Sequence, residues 1–378
     1  MPWKEFSIMS QRHEFVTLAT AENANIRRLC ECFGISSGTA YKWLHRFQAA
    51  GASGLEDRSR RPQHSPSRTA AEMEETVTKL RGQHPAWGGR KLERRLLELG
   101  HTGVPSPSTI TAILRRHQLL DPKESAKHHA FLRFERAAPN ELWQMDFKGE
   151  FKLPHGRCYP LTILDDHSRF AVALEACAKN TRNITQTAMI HAFRRYGLPD
   201  WITCDNGSPW GSRGRHYYTG LGVWLLRLGI GVSHSRPHHP QTQGKDERFH
   251  RTLKAEVLRY QHGNTLTQWQ HHFDQWRVVY NTERPHEALA MAVPASRYQP
   301  SRRRYPEQLA AIEYGAADIV RKVRRYGHIK YQGREYHVGS AFYGLQVALR
   351  QTTTDALFDV FFCNHKIGML DLRDNKLS

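Results

Sequence analysis

Residues 141–260 alternate between segments with the two-residue period of β-strands and segments with the 3.6-residue period of α-helices. This alternation restricts the region to an α/β fold in which helices cover one open sheet. The predicted elements, in chain order, are strands at 141–150, 161–169 and 170–175, a helix at 183–196, a strand at 201–204, a helix at 217–228, a strand at 231–234 and a helix at 242–260. The order β-β-β-α-β-α-β-α is therefore our prediction for the centre of the chain.

Three acidic residues occupy distinctive places in this pattern. Asp146 lies in the middle of a predicted strand, where aspartate is disfavoured, and Asp205 follows the buried strand at 201–204. The carboxyl end of such a strand is where ligand sites form in open α/β sheets. Glu247 lies on the helix predicted to begin near Thr242, and it shares one helix face with Arg251 and Lys254. Taken singly, each has an ordinary interpretation: a strand residue, a turn or a solvated charged face.

Together, three carboxylates beside a basic helix face suggest phosphoryl-transfer chemistry. Two divalent ions about 3.5–4 Å apart neutralise the charge on the attacking and leaving oxygens in such reactions, and hard oxygen ligands hold them. We therefore predict that Asp146, Asp205 and Glu247 are both the catalytic residues and the metal ligands. The predicted cofactors are two divalent ions, Mg²⁺ or Mn²⁺.

The charge of the chain indicates a polyanionic partner. The net charge is +19 and the isoelectric point is near 9.9, while hydrophobic residues make up 39% of the sequence. Neutralising phosphates with basic side chains releases counterions, so double-stranded DNA is the predicted partner. A peripheral membrane protein could also be basic, but here the charge is spread over the whole chain rather than gathered on one amphipathic segment. No transmembrane span or signal peptide is predicted, which suggests a cytoplasmic, nucleoid-associated protein.

Cysteine and histidine usage gives little support for a structural metal site. The six cysteines show no paired spacing and are expected to be reduced. Four histidines between 234 and 250 could ligate zinc, but no cysteine or repeated spacing accompanies them. Histidines near a phosphate-binding surface are the preferred interpretation.

The N-terminal third predicts two DNA-binding helical units. Residues 12–48 contain helices separated by a short turn at Gly34, and the second helix begins near Ser37, which is typical of a helix-turn-helix. An ordinary helical hairpin is the alternative. A basic linker over 55–68 follows, and residues 69–120 resemble a second helix-turn-helix. The predicted DNA-binding residues are Ser37, Thr39, Lys42, Arg46, Arg58, Arg60, Arg61, Arg251 and Lys254.

Composition changes mark the remaining boundaries. Residues 121–140 are polar and loosely patterned, as expected of a linker. After Pro300 the pattern changes to five short strands separated by glycines, which suggests a small β-barrel. The predicted domains are a helix-turn-helix at 1–54, a linker at 55–68, a second helix-turn-helix at 69–120, a linker at 121–140, an α/β core at 141–300 and a barrel at 301–378.

Several motifs in the core resemble those of a known family. They are Trp143-Gln144-Met145-Asp146-Phe147, Leu164-Asp165-Asp166-His167-Ser168-Arg169, Cys204-Asp205-Asn206-Gly207-Ser208-Pro209, the segment 235–248, and Tyr280-Asn281 with Arg284-Pro285-His286-Glu287-Ala288-Leu289. These segments resemble the insertion-sequence transposases whose core is of retroviral-integrase type, with a ribonuclease H-like fold. The resemblance implies that Asp146, Asp205 and Glu247 form the acidic DDE triad.

The resemblance also implies a reaction. A transposase of this type binds the terminal inverted repeats of a mobile element, cleaves a strand and joins the new 3′-OH to target DNA, as a dimer or higher homo-oligomer. Two departures stand out: residues 210–218 are longer and more basic than usual, and Asp246 beside Glu247 is a rival ligand. A nuclease that does not join strands, or a non-catalytic DNA-binding regulator derived from an integrase core, are the alternatives.

Overall fold

The structure is a computed structural model that describes residues 7–58, 68–120, 135–211, 218–234, 244–373 and 376–377. The chain divides into two compact units, Met1–Arg68 and Thr69–Ser378. Within the described residues, no helix has both the length and the apolar character needed to cross a bilayer.

The first unit is built from three helices, α1 (Ile8–Ala19), α2 (Ile26–Phe33) and α3 (Ser37–Ala50). Side chains cap the helix starts: Asn25 accepts the Arg28 amide at the beginning of α2, and Ser36 accepts the Thr39 amide at the beginning of α3. Gly34 ends α2 with φ +63°, a left-handed conformation that suits glycine. The helix-turn-helix arrangement predicted for this region is confirmed. Its buried core consists of Phe15, Val16, Cys30, Ala40, Trp43, Leu44 and Leu55.

The second unit begins with three more helices, α4 (Ala71–Gln83), α5 (Gly89–Glu98) and α6 (Pro107–Arg116). Ser106 caps α6 by accepting the Thr109 amide, and proline occupies its first turn. Gly89 opens α5 where a Cβ would lie only 2.3 Å from the Pro107 carbonyl oxygen, so this close approach of two helices requires glycine. These three helices pack around Trp87 and Leu92.

A six-stranded mixed sheet forms the centre of the second unit. The order along the sheet is β2-β3-β1-β5-β6. Strand β4 pairs with residues 159–164 of β3. The β1–β3 and β3–β4 pairs are antiparallel, whereas β1–β5 and β5–β6 are parallel. The strands are β1 (Leu142–Phe147), β2 (Phe151–Leu153), β3 (Gly156–Asp165), β4 (Ala171–Cys177), β5 (Trp201–Cys204) and β6 (Gly231–His234).

Helices cover both faces of the sheet. One apolar cluster joins the sheet to α7 (Arg182–Tyr196) and α8 (Gly220–Arg227), and another joins it to α9 (Gly244–Leu253) and α10 (Leu266–Thr282). The predicted helix at 242–260 differs from the structure, because α9 ends at Leu253 and continues as a π-turn, Lys254–Leu258. The predicted capping residue Thr242 lies outside the described residues.

Residues 297–310, which we call the strap, leave the core along its surface. The Tyr298 ring stacks on Phe170 at 4.1 Å, and the Ser301 amide donates to the Tyr196 carbonyl. Arg303 donates to the backbone oxygens of Pro199, Leu228 and Gly229, and to the Asp200 carboxylate. The strap is therefore bonded to the core along its length.

The C-terminal region contains two open sheets among the described residues, and these strands do not show the closed barrel that was predicted. The order of the larger sheet is β13-β12-β11-β10-β7, and β8 pairs only with β9. A barrel needs ladder hydrogen bonds around the whole circuit, and the described strands leave β7 and β13 as edges. The strands are β7 (Ile319–Lys322), β8 (His328–Tyr331), β9 (Arg334–His337), β10 (Gln346–Gln351), β11 (Leu357–Phe362), β12 (His365–Asp371) and β13 (Lys376–Leu377).

Candidate active site

The sheet brings Asp146 and Asp205 to the same edge. Gln144 of β1 pairs with Thr203 of β5 in parallel register, and each aspartate comes two residues later in its own chain segment. The Asp146 side chain is about a quarter exposed, and one of its oxygens accepts the Phe147 amide at 2.8 Å. The Asp205 side chain accepts the Gly207 amide at 3.1 Å, as in an Asx turn.

Glu247 reaches the same region from α9. Its side chain is exposed, and it shares the outer face of the helix with the exposed residues Arg251 and Lys254. Phe249 and Leu253 are buried on the opposite face, which is the amphipathic pattern predicted from the sequence. The exposed face therefore presents one carboxylate and two cations to solvent beside the sheet edge.

The pKa of Asp146 depends on burial and on the other acidic residues. Burial raises the pKa of Asp146 to about 6, and the negative charges of Asp205 and then Glu247 contribute to that rise. Burial also raises the pKa of Asp205. Neighbouring carboxylates oppose one another's ionisation because like charges repel at short range. A bound cation would remove that repulsion.

The three carboxylates are not gathered into a preformed metal cage. Within the part of the chain that the structure describes, no group of three or more His, Cys, Asp or Glu side chains is arranged to hold a metal ion. Asp146 and Asp205 are held by the sheet and its turn, while Glu247 extends into solvent.

Asp246 points the other way. It is 1% exposed, and neither carboxylate oxygen has a hydrogen-bond partner among the described residues. Burial raises the pKa of Asp246 well above its ordinary value, and the charges of Asp146 and Asp166 add to this effect. Its neighbour Lys245 forms an ion pair with Asp166, which ties the start of α9 to the turn after β3.

Two side chains that the sequence analysis did not assign to the site, His250 and Thr162, lie close to Asp146. His250 Nδ1 lies 3.9 Å from Asp146 Oδ2, and His250 Nε2 lies 2.8 Å from the Thr162 hydroxyl. Since Thr162 donates its single hydroxyl proton to the Asp146 carbonyl, Nε2 must carry the imidazole proton. Burial lowers the pKa of His250 to about 3, so the ring is neutral. The sequence signal was the spacing of His250 three residues after Glu247.

The predicted DNA-binding residues of the first unit lie on or near α3. Ser37 and Lys42 are exposed, Thr39 is partly covered by its contact with Ser36, and the Arg46 guanidinium lies 5.0 Å above the Trp43 ring. Arg58 is exposed at the end of the described segment. Arg60 and Arg61 lie outside the described residues.

Comparisons with protein families match the chain in five places. An integrase core domain matches residues 136–240, a second integrase core domain matches 228–294, and the C-terminal domain of IS481 family transposases matches 318–378. A helix-turn-helix domain matches 11–63 and a homeodomain-like domain matches 39–114. Together these matches support an insertion-sequence transposase with an integrase core.

Curated relatives match part of the chain. The chain is 27% identical over 158 residues to the insertion element IS407 uncharacterized 31.7 kDa protein of Burkholderia multivorans, a match that covers 42% of the chain and 55% of the relative. It is 26% identical over 170 residues to the Gag-Pol polyprotein of Walleye dermal sarcoma virus, covering 44% of the chain and 9% of the polyprotein. The chain thus spans about half the length of the first relative and a small part of the second.

Solved structures show more distant likeness. A chain of the simian T-cell lymphotropic virus intasome in complex with a PP2A regulatory subunit is 14% identical, with a TM-score of 0.40 over 79% of this chain and 96% of that one. The HTLV-2 integrase catalytic core domain in complex with magnesium is 17% identical, with a TM-score of 0.33 over 43% of this chain and 97% of that one.

Proposed function

We propose that this protein is a DDE-type polynucleotidyl transferase that cleaves the ends of a mobile element and joins their 3′-OH groups to target DNA. The observation that carries the proposal is that Asp146 lies near the end of β1 and Asp205 directly follows the neighbouring parallel strand β5, while the charge of Glu247 contributes to the raised pKa of Asp146. Carboxylates that repel one another at a polar edge form a site that a cation completes.

The donor set fits divalent magnesium or manganese. Asp146, Asp205 and Glu247 offer hard carboxylate oxygens from three different elements, as these ions prefer. When bound, two such ions would stabilise negative charge on the attacking and leaving oxygens of a phosphoryl transfer. The exposure of Glu247, against the burial of Asp246, supports Glu247 as the third ligand.

The surrounding side chains have separate tasks in this proposal. Arg251 and Lys254 lie on the exposed face with Glu247 and would neutralise phosphates of the DNA backbone. Neutral His250 and Thr162 hold the Asp146 backbone and leave its carboxylate free of a competing cation. The α3 residues Ser37, Thr39, Lys42 and Arg46, with Arg58, Arg60 and Arg61, would bind the terminal inverted repeats. Two element ends must be joined, so a homo-oligomer is proposed as the active form.

The test uses duplexes that carry the inverted repeats flanking the gene, with Mg²⁺ or Mn²⁺ and a target plasmid. Wild-type protein is expected to release a 3′-OH end and join it to the plasmid. Asp205→Asn is expected to reduce both products more than roughly 100-fold, beyond the usual effect of changing a residue outside the ligand set. Joining by Asp205→Asn at the wild-type rate would refute the assignment.

One observation favours a second candidate. Because no three ligands are gathered among the described residues, a DNA-binding regulator without catalysis is the alternative. Binding to the inverted repeats with no metal-dependent product from the wild-type protein would support that alternative, and release without joining would identify a nuclease.

A further inference from the structure

The π-turn after α9 carries a buried carboxylate with a complete set of partners. Glu256 lies nine residues after Glu247 in the same continuous helical segment, and its side chain is 7% exposed. One oxygen accepts from Arg284 Nε at 2.9 Å, and the other accepts from Trp276 Nε1 at 3.0 Å. Both partners come from α10 or the residues just after it, so Glu256 joins the two helices.

Arg284 is itself held on several sides. Its amide donates to the Val279 carbonyl at the end of α10, and its guanidinium lies 5.7 Å above the Tyr280 ring and 3.4 Å from His286 Nε2. The Arg284 side chain is 9% exposed. A buried ion pair with satisfied hydrogen bonds fixes geometry more than it adds stability, because desolvation offsets much of the attraction.

Helix α5 contacts the core close to the Glu256–Arg284 pair. Arg95 of α5 donates to the Glu283 carboxylate at 2.6 Å, and Arg90 lies 3.5 Å from Glu287. Glu283 and Glu287 flank Arg284 in sequence. These contacts therefore connect three parts of the second unit: α5, the end of α10, and the segment that carries Glu247.

Glu256 lies in the π-helical turn, Lys254–Leu258, that interrupts the regular α-helix after Leu253. A π-turn adds a residue to the helical repeat, rotates the residues after it relative to those before it, and is frequent at functional sites. The start of α9 is tied by the Lys245–Asp166 pair, and its far end by Glu256. Glu247 lies between these two ion pairs, so its position depends on the strength of the Lys245–Asp166 and Glu256–Arg284 interactions.

We propose that Glu256 and Arg284 are positioning residues that set the place of Glu247 relative to Asp146 and Asp205. This inference rests on the proposed function, since it assumes that Glu247 is a metal ligand. In this proposal the pair acts through its protein contacts rather than by binding DNA or metal. It acts by fixing the end of α9 against α10, close to the residues with which α5 forms its ion pairs.

The first experiment compares wild-type protein with Glu256→Gln, which keeps an acceptor for Trp276 but removes the charge that pairs with Arg284. The matched control is Glu307→Gln. Glu307 lies on the strap and forms an exposed ion pair with Arg194 of α7. Titration calorimetry of the full chain with Mn²⁺ is expected to give a Kd raised roughly 10-fold to 100-fold for Glu256→Gln, as for other residues that orient metal ligands. Glu307→Gln is expected to bind Mn²⁺ as the wild type does.

Hydrogen exchange supplies a readout that does not depend on activity. Glu256→Gln is expected to speed exchange of amides in 247–258, while amides of α4–α6 and of α7 keep their protection. In the end-cleavage assay kcat should fall with KM for DNA unchanged, and excess Mn²⁺ should restore part of the rate. Arg284→Lys keeps a cation beside Glu256, so its Mn²⁺ affinity, exchange rates and kcat should lie between those of the wild type and Glu256→Gln. This variant replaces Glu256→Gln if Glu256→Gln does not fold.

The outcomes separate the two proposals. Wild-type Mn²⁺ affinity and wild-type exchange in Glu256→Gln would overturn the positioning role, and so would a uniform loss of protection throughout the second unit. If the wild-type protein neither binds Mn²⁺ nor cleaves DNA, the proposed function fails instead, and the exchange pattern alone decides whether the pair holds α9.

Discussion

Gln144 and Thr203 are paired across two parallel strands, and this pairing places Asp146 beside Asp205 at one edge of the sheet. The two aspartates are distant in sequence, and their proximity follows from the register of β1 against β5. Their pKa values are both raised, chiefly by burial. Substitutions around this pair, and in the elements that hold it, should therefore have distinct and measurable effects.

Replacing Asp246 with valine should stabilise the protein. The buried carboxylate of Asp246 has no hydrogen-bond partner among the described residues, so folding removes it from water without compensation. Removing such a group is expected to raise the free energy of unfolding by about 1–3 kcal/mol. Urea denaturation of both proteins measures the change. A clear loss of stability would show that the Asp246 carboxylate is compensated in the folded protein.

Asp166→Asn should have the opposite effect, because it leaves the cation of Lys245 without its partner at the start of α9. Breaking a buried ion pair in this way typically costs about 3–5 kcal/mol. The same carboxylate accepts hydrogen bonds from Gln144 Nε2 and the Arg136 amide. Thermal denaturation followed by circular dichroism measures the loss, and an unchanged melting temperature would contradict the ion pair.

The stability conferred by Lys91 should depend on pH. Burial lowers the pKa of Lys91 to about 7, with Arg284 and Arg248 adding to the effect and Glu256 and Glu287 opposing it. The unfolded chain therefore binds one more proton than the folded chain between about pH 7 and the ordinary lysine value of 10.5. The free energy of unfolding contributed by this group rises with pH across that window.

A comparison with Lys91→Met isolates this contribution. The variant should exceed the wild type in stability near neutral pH, and the difference should shrink as the pH rises through the window. Lys79→Met, at an exposed position of α4, controls for the loss of a positive charge. A difference that stays constant with pH would show that Lys91 is not buried as described.

Arg303 should matter more than the arginines on either side of it. Its guanidinium donates to three backbone carbonyls and the Asp200 carboxylate, whereas Arg302 and Arg304 are exposed. Arg303→Ala is expected to lower the free energy of unfolding by about 2–3 kcal/mol, since hydrogen bonds to charged groups are the stronger class. Arg302→Ala and Arg304→Ala should leave it within about 0.5 kcal/mol of wild type. Equal losses at all three positions would contradict the strap contacts.

Lys42 should contribute to DNA affinity without supporting the fold of the first unit. It is exposed on α3, with its ammonium 4.8 Å from the Trp43 ring. Lys42→Ala is expected to weaken end binding and to reduce the slope of log K against log salt by about 1, as for one lost phosphate contact. Arg27→Ala, on the exposed side of α2, is the control. Fluorescence anisotropy over a salt series measures both slopes, and an unchanged slope for Lys42→Ala would remove it from the interface.

Sequence periodicity predicted most helices and strands of the second unit because apolar side chains recur at the spacing of the buried face. It missed β2, which has only three residues, and the π-turn at 254–258, where the apolar pattern through Val257 continues without a break. It also predicted a small β-barrel, whereas the described strands form open sheets with β7 and β13 at the edges of the larger one. Strand periodicity gives the face of each strand but not which edges meet.

The candidate site was predicted in part for the same reason. Strand position is the reason for predicting Asp146 and Asp205 as site residues, and helix spacing predicted the shared exposed face of Glu247, Arg251 and Lys254. The sequence favoured Glu247 over Asp246 because Glu247 shares a helix face with Arg251 and Lys254, and adjacent helix residues point in different directions. The contact of Glu256 with Arg284 joins residues 28 positions apart, and no local pattern records such a contact.

The strap holds the chain against the core before the C-terminal strands begin. Because Arg303 and Tyr298 fasten it to the core, the C-terminal strands follow an anchored segment rather than a loose linker. Any duplex that contacted both those strands and the carboxylate edge would cross a fixed span. The number of base pairs between the two contacts would then be the same in every complex, and inserting flexible residues at the strap would make that number vary.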